Sequence, residues 1–123
     1  MKRVLVADDS PTLRRMVVAS LSSLPDVTFT EASSGLEAIE RLSLEPVDLI
    51  VLDLNMPDVH GMEVLRFVRS HKAFATVPVL ILTTRGDEES RSAALEEGAN
   101  AYCTKPFKPA LLLQHVRGLL GME

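Results

Sequence analysis

The chain has 123 residues, 46% apolar and 24% charged, the size and balance of one ordinary globular domain that buries its core without staples. A net charge of −4 speaks against a basic nucleic-acid-binding face, and a single cysteine, Cys103, excludes an internal disulfide and fits a reducing compartment. The apolar run at 4–7 is too short for a secretory signal and no window reaches the roughly 18 apolar residues of a membrane span, so a cytoplasmic chain without a membrane partner is expected.

The first strand is predicted over 4–7 (VLVA), running straight into Asp8 and Asp9. Ser10-Pro11 then reads as an N-cap with proline in the first turn, and Leu13, Met16, Val17, Leu21 and Leu24 follow at helical spacing. VTFTEA at 27–32 alternates more than the other apolar runs, which places it near a sheet edge. Ser34-Gly35-Leu36-Glu37 fits a capping box ahead of a helix carrying Leu36, Ile39 and Leu42. Strands at 47–52 and 77–82 are rich in Val, Ile and Leu, as strands buried on both faces must be, with a helix carrying Met62, Leu65 and Val68 between them. Asp87 caps a helix over 88–97 that Gly98 ends; 99–103 is a short strand; Pro109 opens the last helix, with Leu112, Leu113, Val116, Leu119 and Leu120.

Five strand–helix units in succession imply right-handed crossovers and a parallel sheet covered on both faces, an α/β fold too short for an eight-unit barrel. An open, doubly wound (βα)5 sheet is predicted, filling 1–123 as one domain. The helix over 88–97 offers only Ala93, Ala94 and Leu95 for burial and is expected to be the most loosely held.

In such a sheet, ligands gather at the carboxyl ends of the strands. There the chain delivers Asp8 and Asp9 after strand one, Asp53 after strand three, Thr83 and Thr84 after strand four, and Lys105 after strand five. Each has an ordinary explanation alone, as a turn residue, a strand former or a solvated charge. Together, three carboxylates against one ammonium call for a cation. Hard oxygen ligands suit Mg²⁺, Mn²⁺ or Ca²⁺ rather than zinc. Mg²⁺ takes one or two carboxylates, keeps waters and partners a phosphate, so Asp9 and Asp53 are the direct ligands and Asp8 acts through water. His60, His71 and His115 are scattered and read as surface residues, and Cys103 as an inert strand residue. A P-loop or a GxGxxG dinucleotide loop is absent, and a resident flavin phosphate would meet two carboxylates, which leaves a transient phosphoryl group.

DDS at 8–10, LDLNMPDVHG at 52–61, LTT at 82–84 and YCTKPF at 102–107 occur in order, each at a strand end. With these motifs the whole chain resembles the receiver domain of two-component response regulators, most nearly the single-domain chemotaxis type. The resemblance implies a flavodoxin-like sheet of strand order 2-1-3-4-5. It implies that Asp53 is the phosphoacceptor, taking a phosphoryl group from a partner histidine kinase or a small acyl phosphate. It implies Mg²⁺, or Mn²⁺, held by Asp8, Asp9, Asp53 and the backbone carbonyl of Asn55, with Lys105 pairing with the phosphoryl group. It implies that Thr83 turns to bond the new phosphate and that Tyr102 swings inward behind it. It implies that Asn55 and Arg85 tune the rate of reset, although a solvated loop role for Arg85 stands beside that one. The Lys105-Pro106 peptide is expected to be cis.

Output is then expected through the surface of 87–120, binding a downstream protein such as a flagellar motor switch, by a monomer for which dimerisation through that face is left open. Two other classes stand against this reading. A Mg²⁺-dependent phosphohydrolase would show an Asp-x-Asp pattern where this chain has Asp53-Leu54-Asn55. A receiver module cut from a larger kinase or regulator would share every motif.

Overall fold

A computed structural model describes residues 1–122. Ten elements alternate along the chain: β1 Lys2–Ala7, α1 Pro11–Leu21, β2 Val27–Ala32, α2 Gly35–Leu44, β3 Leu49–Leu52, α3 Gly61–Ser70, β4 Val79–Thr83, α4 Glu88–Glu96, β5 Ala101–Thr104 and α5 Pro109–Leu119. The strands form one parallel sheet in the order β2-β1-β3-β4-β5, with Ala7 beside Leu52 and Leu52 beside Ile81 at its centre.

Successive side chains on a strand point to opposite faces. Leu5, Ile50, Leu52, Val79 and Ile81 therefore pack with Ala38, Leu42, Val64, Leu65, Val68 and Ala94 of α2, α3 and α4. Val4, Val6, Leu49, Val51, Leu80 and Leu82 pack on the other face with Val17, Leu21, Leu112 and Val116 of α1 and α5. Burial on both faces explains the unbroken apolar runs. The more alternating β2 lies at one edge, as its sequence suggests.

Two strands start later than their apolar runs. Pro78 has no N–H to give the ladder, and Asp48 turns its carboxylate back to accept from the Arg3 N–H at 2.8 Å, so pairing begins at Val79 and Leu49. At β5, the Ala99 N–H closes the end of α4 on the Ala94 carbonyl, which delays pairing to Ala101.

The helix starts follow their caps. Ser10 Oγ accepts from the Leu13 N–H, Ser34 Oγ from Glu37, and Asp87 Oδ2 from Ser90. The capping box at Ser34 closes differently from expectation: Glu37 Oε1 accepts from the Ser33 N–H at 2.6 Å, one residue before the cap. Leu36 and Met16 are also displaced from the core, at 62% and 51% exposure. In α2 the inward face is Gly35, Ala38 and Leu42, because Gly35 packs so closely on Val59 that the helix turns its next residue outward. In α1 the inward face belongs to Val17 and Leu21.

α4 buries only Ala94, against Gly61, Val64, Leu65 and Val68 in α3. Its carboxyl end is nevertheless fastened. The Arg69 guanidinium donates to the carbonyls of Gly98, Ala75 and Val77 and to Asn100 Oδ1, at 2.7–3.2 Å. Gly98 sits at φ +106, and a Cβ there would stand 2.8 Å from Arg69 Nε, so only glycine allows this clasp.

Candidate functional site

The site grows from the sheet's register. The Asp8 N–H bonds to the Ala32 carbonyl and the Asp53 N–H to the Ala7 carbonyl, both at 3.0 Å, carrying the ladder one residue past β1 and β3. Two neighbouring strands thus end in carboxylates side by side. The Lys105 N–H bonds to the Thr83 carbonyl at 2.8 Å, which brings its side chain back across β4. Its ammonium stands 2.7 Å from Asp8 Oδ2 and 3.4 Å from Asp53 Oδ2. The peptide after Lys105 is cis, as expected.

Asp8 and Asp53 are each 4% exposed, whereas Asp9 faces solvent. One carboxylate oxygen from each of Asp8, Asp9 and Asp53 lies within 4.8 Å of the others. Three hard oxygens at that spacing fit a divalent cation of the Mg²⁺ type, with room left for waters. Asp8 is heavily engaged already: Oδ1 accepts from the Ser10 N–H at 2.9 Å and Oδ2 from Lys105. Asp53 Oδ1 accepts from the Asn55 N–H at 3.2 Å. Burial pushes the Asp53 carboxyl above its ordinary range; the Asn55 N–H and Lys105 oppose that, and neighbouring Asp8 adds to it.

The loop after Asp53 is held tightly. The Gly61 N–H returns to the Leu54 carbonyl at 2.9 Å, and a Cβ on Gly61 would stand 2.4 Å from the Asp53 carbonyl oxygen. Any other residue there would push the loop after Asp53 out of place. Asp58, on the same loop, accepts from the Gly35 and Leu36 N–H groups at 3.0 Å and caps α2 from outside the helix. Those backbone donors hold its carboxyl down at about 2. Sequence spacing gave no sign of this cap, since donor and acceptor lie on different elements.

Thr83 is fully buried, and its hydroxyl oxygen is approached by Asn55 Nδ2 and the Arg85 N–H, both at 3.4 Å. Thr84 faces solvent. Tyr102 is 8% exposed; its hydroxyl donates to the Arg85 carbonyl, and the Arg91 guanidinium lies 5.9 Å above its ring. The ring is thus already inward in this structure. The Arg85 side chain is half exposed and lies 3.9 Å from Asp87. The histidines are elsewhere: His60 Nδ1 caps α3 at Met62, His71 stacks on Phe74 at 4.5 Å, and His115 is an exposed residue of α5. Burial raises the Cys103 thiol above its ordinary value. A hollow of about 620 Å³ between Leu42, Pro46, His71 and Phe74 lies at the opposite edge of the sheet and touches none of these carboxylates.

The family model described as response regulator receiver domain matches residues 4–117. The chain is 36% identical over 120 residues to a chemotaxis protein CheY homolog of Campylobacter jejuni, covering 97% of this chain and 92% of that one. The structure of Vibrio cholerae chemotaxis protein CheY4 superposes with a TM-score of 0.88 at 32% identity, over 97% of this chain and 98% of that one. The Mn²⁺-bound form of the response regulator Rcp1 superposes at 0.82 with 30% identity, over 97% and 91%. Fold, crevice chemistry and likeness agree: the chain belongs to the response regulator receiver domains and is CheY-like in kind.

Proposed function

We propose that this chain is a phosphorylation-driven switch, a single domain over 1–123, in which Asp53 accepts a phosphoryl group from a partner histidine kinase. The observation that carries this reading is the crevice itself: a buried carboxylate, Asp53, between an ammonium 3.4 Å away and two further acids. Phosphoryl transfer asks mainly for positioning and charge compensation. Asp53 is fixed by its backbone ladder and by the Asn55 N–H, which leaves Oδ2 beside Lys105 to attack phosphorus. The bond from phosphorus to its donor breaks as the bond to Asp53 forms, giving an acyl phosphate. Lys105 then faces the oxygens of that group.

Asp8, Asp9, Asp53 and the Asn55 carbonyl would hold Mg²⁺, or Mn²⁺, the ion bound in the Rcp1 structure. The cation supplies positive charge beside the phosphoryl oxygens. Water attacking phosphorus breaks its bond to Asp53 and releases inorganic phosphate, restoring the carboxylate, so the domain resets itself at a rate that Asn55 and Arg85 tune. Only the chain's own phosphorylation and dephosphorylation are self-catalysed.

Thr83 is the group that must respond, since its hydroxyl is held by two long contacts at 3.4 Å. Its turn toward the phosphate moves the 84–87 loop, which Tyr102 grips through the Arg85 carbonyl. The weakly packed α4 follows, and the 87–120 face then binds a downstream protein, a motor-switch component if the pathway is chemotaxis. A cytoplasmic site of action fits a chain in which no described helix is long and apolar enough to cross a membrane. Incubation with acetyl phosphate and Mg²⁺, read by intact mass, should add one phosphoryl group to the wild type and none to Asp53→Asn. An unmodified wild type, under conditions that label another receiver in parallel, would overturn the reading.

A further inference from the structure

Arg14, one turn into α1, reaches back over the start of its own helix. Its Nη1 donates to the carbonyl oxygen of Asp8 at 2.6 Å, and its Nε to Glu31 Oε1 on β2 at 2.9 Å. The guanidinium is largely enclosed, with 14% of the side chain exposed. Two bonds in different directions fix the plane of the fork, as a lysine could not. The Asp8 carbonyl belongs to the peptide that joins Asp8 to Asp9. The Asp8 N–H is held by Ala32 and the Asp8 carboxylate by Ser10 and Lys105, so with Arg14 on its carbonyl every polar group of Asp8 is engaged. The exposed Asp9 side chain hangs from the peptide that Arg14 grips.

We propose that Arg14, locked by Glu31, is a positioning residue for cation binding: it sets the Asp8–Asp9 peptide so that Asp9 converges with Asp8 and Asp53. This rests on the reading of those carboxylates as a divalent-cation site. Partners that orient ligands commonly cost 10–100-fold in metal affinity when removed. The sign of the effect separates positioning from bulk charge. Arg14 is a positive group near three acids, so deleting its charge should by itself tighten cation binding. Removing the Glu31 charge should by itself weaken it. If geometry rules, both deletions weaken it.

The test is Mn²⁺ alone titrated into the full chain, with free Mn²⁺ read by electron paramagnetic resonance and folding checked by urea midpoint. Arg14→Met should weaken Mn²⁺ about tenfold, and Glu31→Gln by less. Arg14→Lys, which keeps the charge and loses the fork, should also weaken it, and decides the matter if the methionine variant folds poorly. Unchanged or tighter binding in both Arg14 variants overturns the proposal while leaving the cation site intact. A wild type that binds no Mn²⁺ overturns the proposal and the reading beneath it together.

Discussion

Arg69 at the amino edge of the sheet and Lys105 at its carboxyl edge are both drawn in among oxygen acceptors, but the acceptors differ. Arg69 meets three backbone carbonyls and an amide, all neutral and all fixed by the chain ends they belong to. Lys105 meets two carboxylates of a cluster of three, so its single charge leaves that cluster negative. The amino edge has its acceptors in place, and burial lowers the Arg69 guanidinium from its ordinary value. The carboxyl edge keeps that excess negative charge, and on the proposed function a cation and a phosphoryl group complete it. One fold thus keeps a closed end for stability and an open end for chemistry.

The largest effect should come from breaking the closed end. Arg69→Leu strands the Gly98 and Val77 carbonyls and should cost about 3 kcal/mol. A lower urea midpoint with an unchanged slope would show it. Phosphoryl capture by the folded fraction should survive, since no Arg69 contact touches the carboxylates.

At the open end, the expected sign reverses. Asp53→Asn removes one of three crowded acids and should stabilise the Mg²⁺-free protein at pH 7 by about 1 kcal/mol, while ending phosphoryl capture. The pH dependence follows the same logic. The Asp53 carboxyl is raised in the folded state, so between its ordinary value of 3.8 and its folded value the native chain holds the extra proton. Its contribution to stability therefore falls as pH rises through that window and stays lost above it. Urea midpoints against pH, for wild type and Asp53→Asn, should diverge upward from pH 4, and Mg²⁺ should narrow the gap.

Asp58 gives the smallest and opposite effect. Its carboxyl is held down at about 2, so the α2 cap is fully present above 3.8 and lost as pH falls toward 2. Asp58→Ala should lower the urea midpoint slightly at pH 7 and by less at pH 2, where the cap is half protonated. An equal loss at both would mean that the loop, not the charge, caps α2.

The contrast between the two edges also explains what was legible in the sequence. The two-sided core and the placement of Asp8, Asp53, Thr83 and Lys105 follow from apolar runs that stop at strand ends, whereas the strand order comes only with the family resemblance. What stayed hidden depends on contacts across elements. Nothing in the spacing singles out Arg69, Arg14 or Glu31. Each is defined by a partner 17–31 residues away. Leu36 failed for a related reason: the helical period names a stripe, and the close approach of Gly35 to Val59 decides which side of α2 faces in, while on α1 Val17 and Leu21 take the inward face and leave Met16 exposed.

On the proposed function, Asp53 itself carries the phosphoryl group. Treating the full chain with acetyl phosphate and Mg²⁺, then reducing with borohydride, converts an aspartyl phosphate to homoserine, which peptide mass spectrometry locates. Homoserine at position 53, and at no other aspartate, is the predicted result. Homoserine at Asp8 or Asp9, or none anywhere while wild type gains phosphoryl mass, would contradict it.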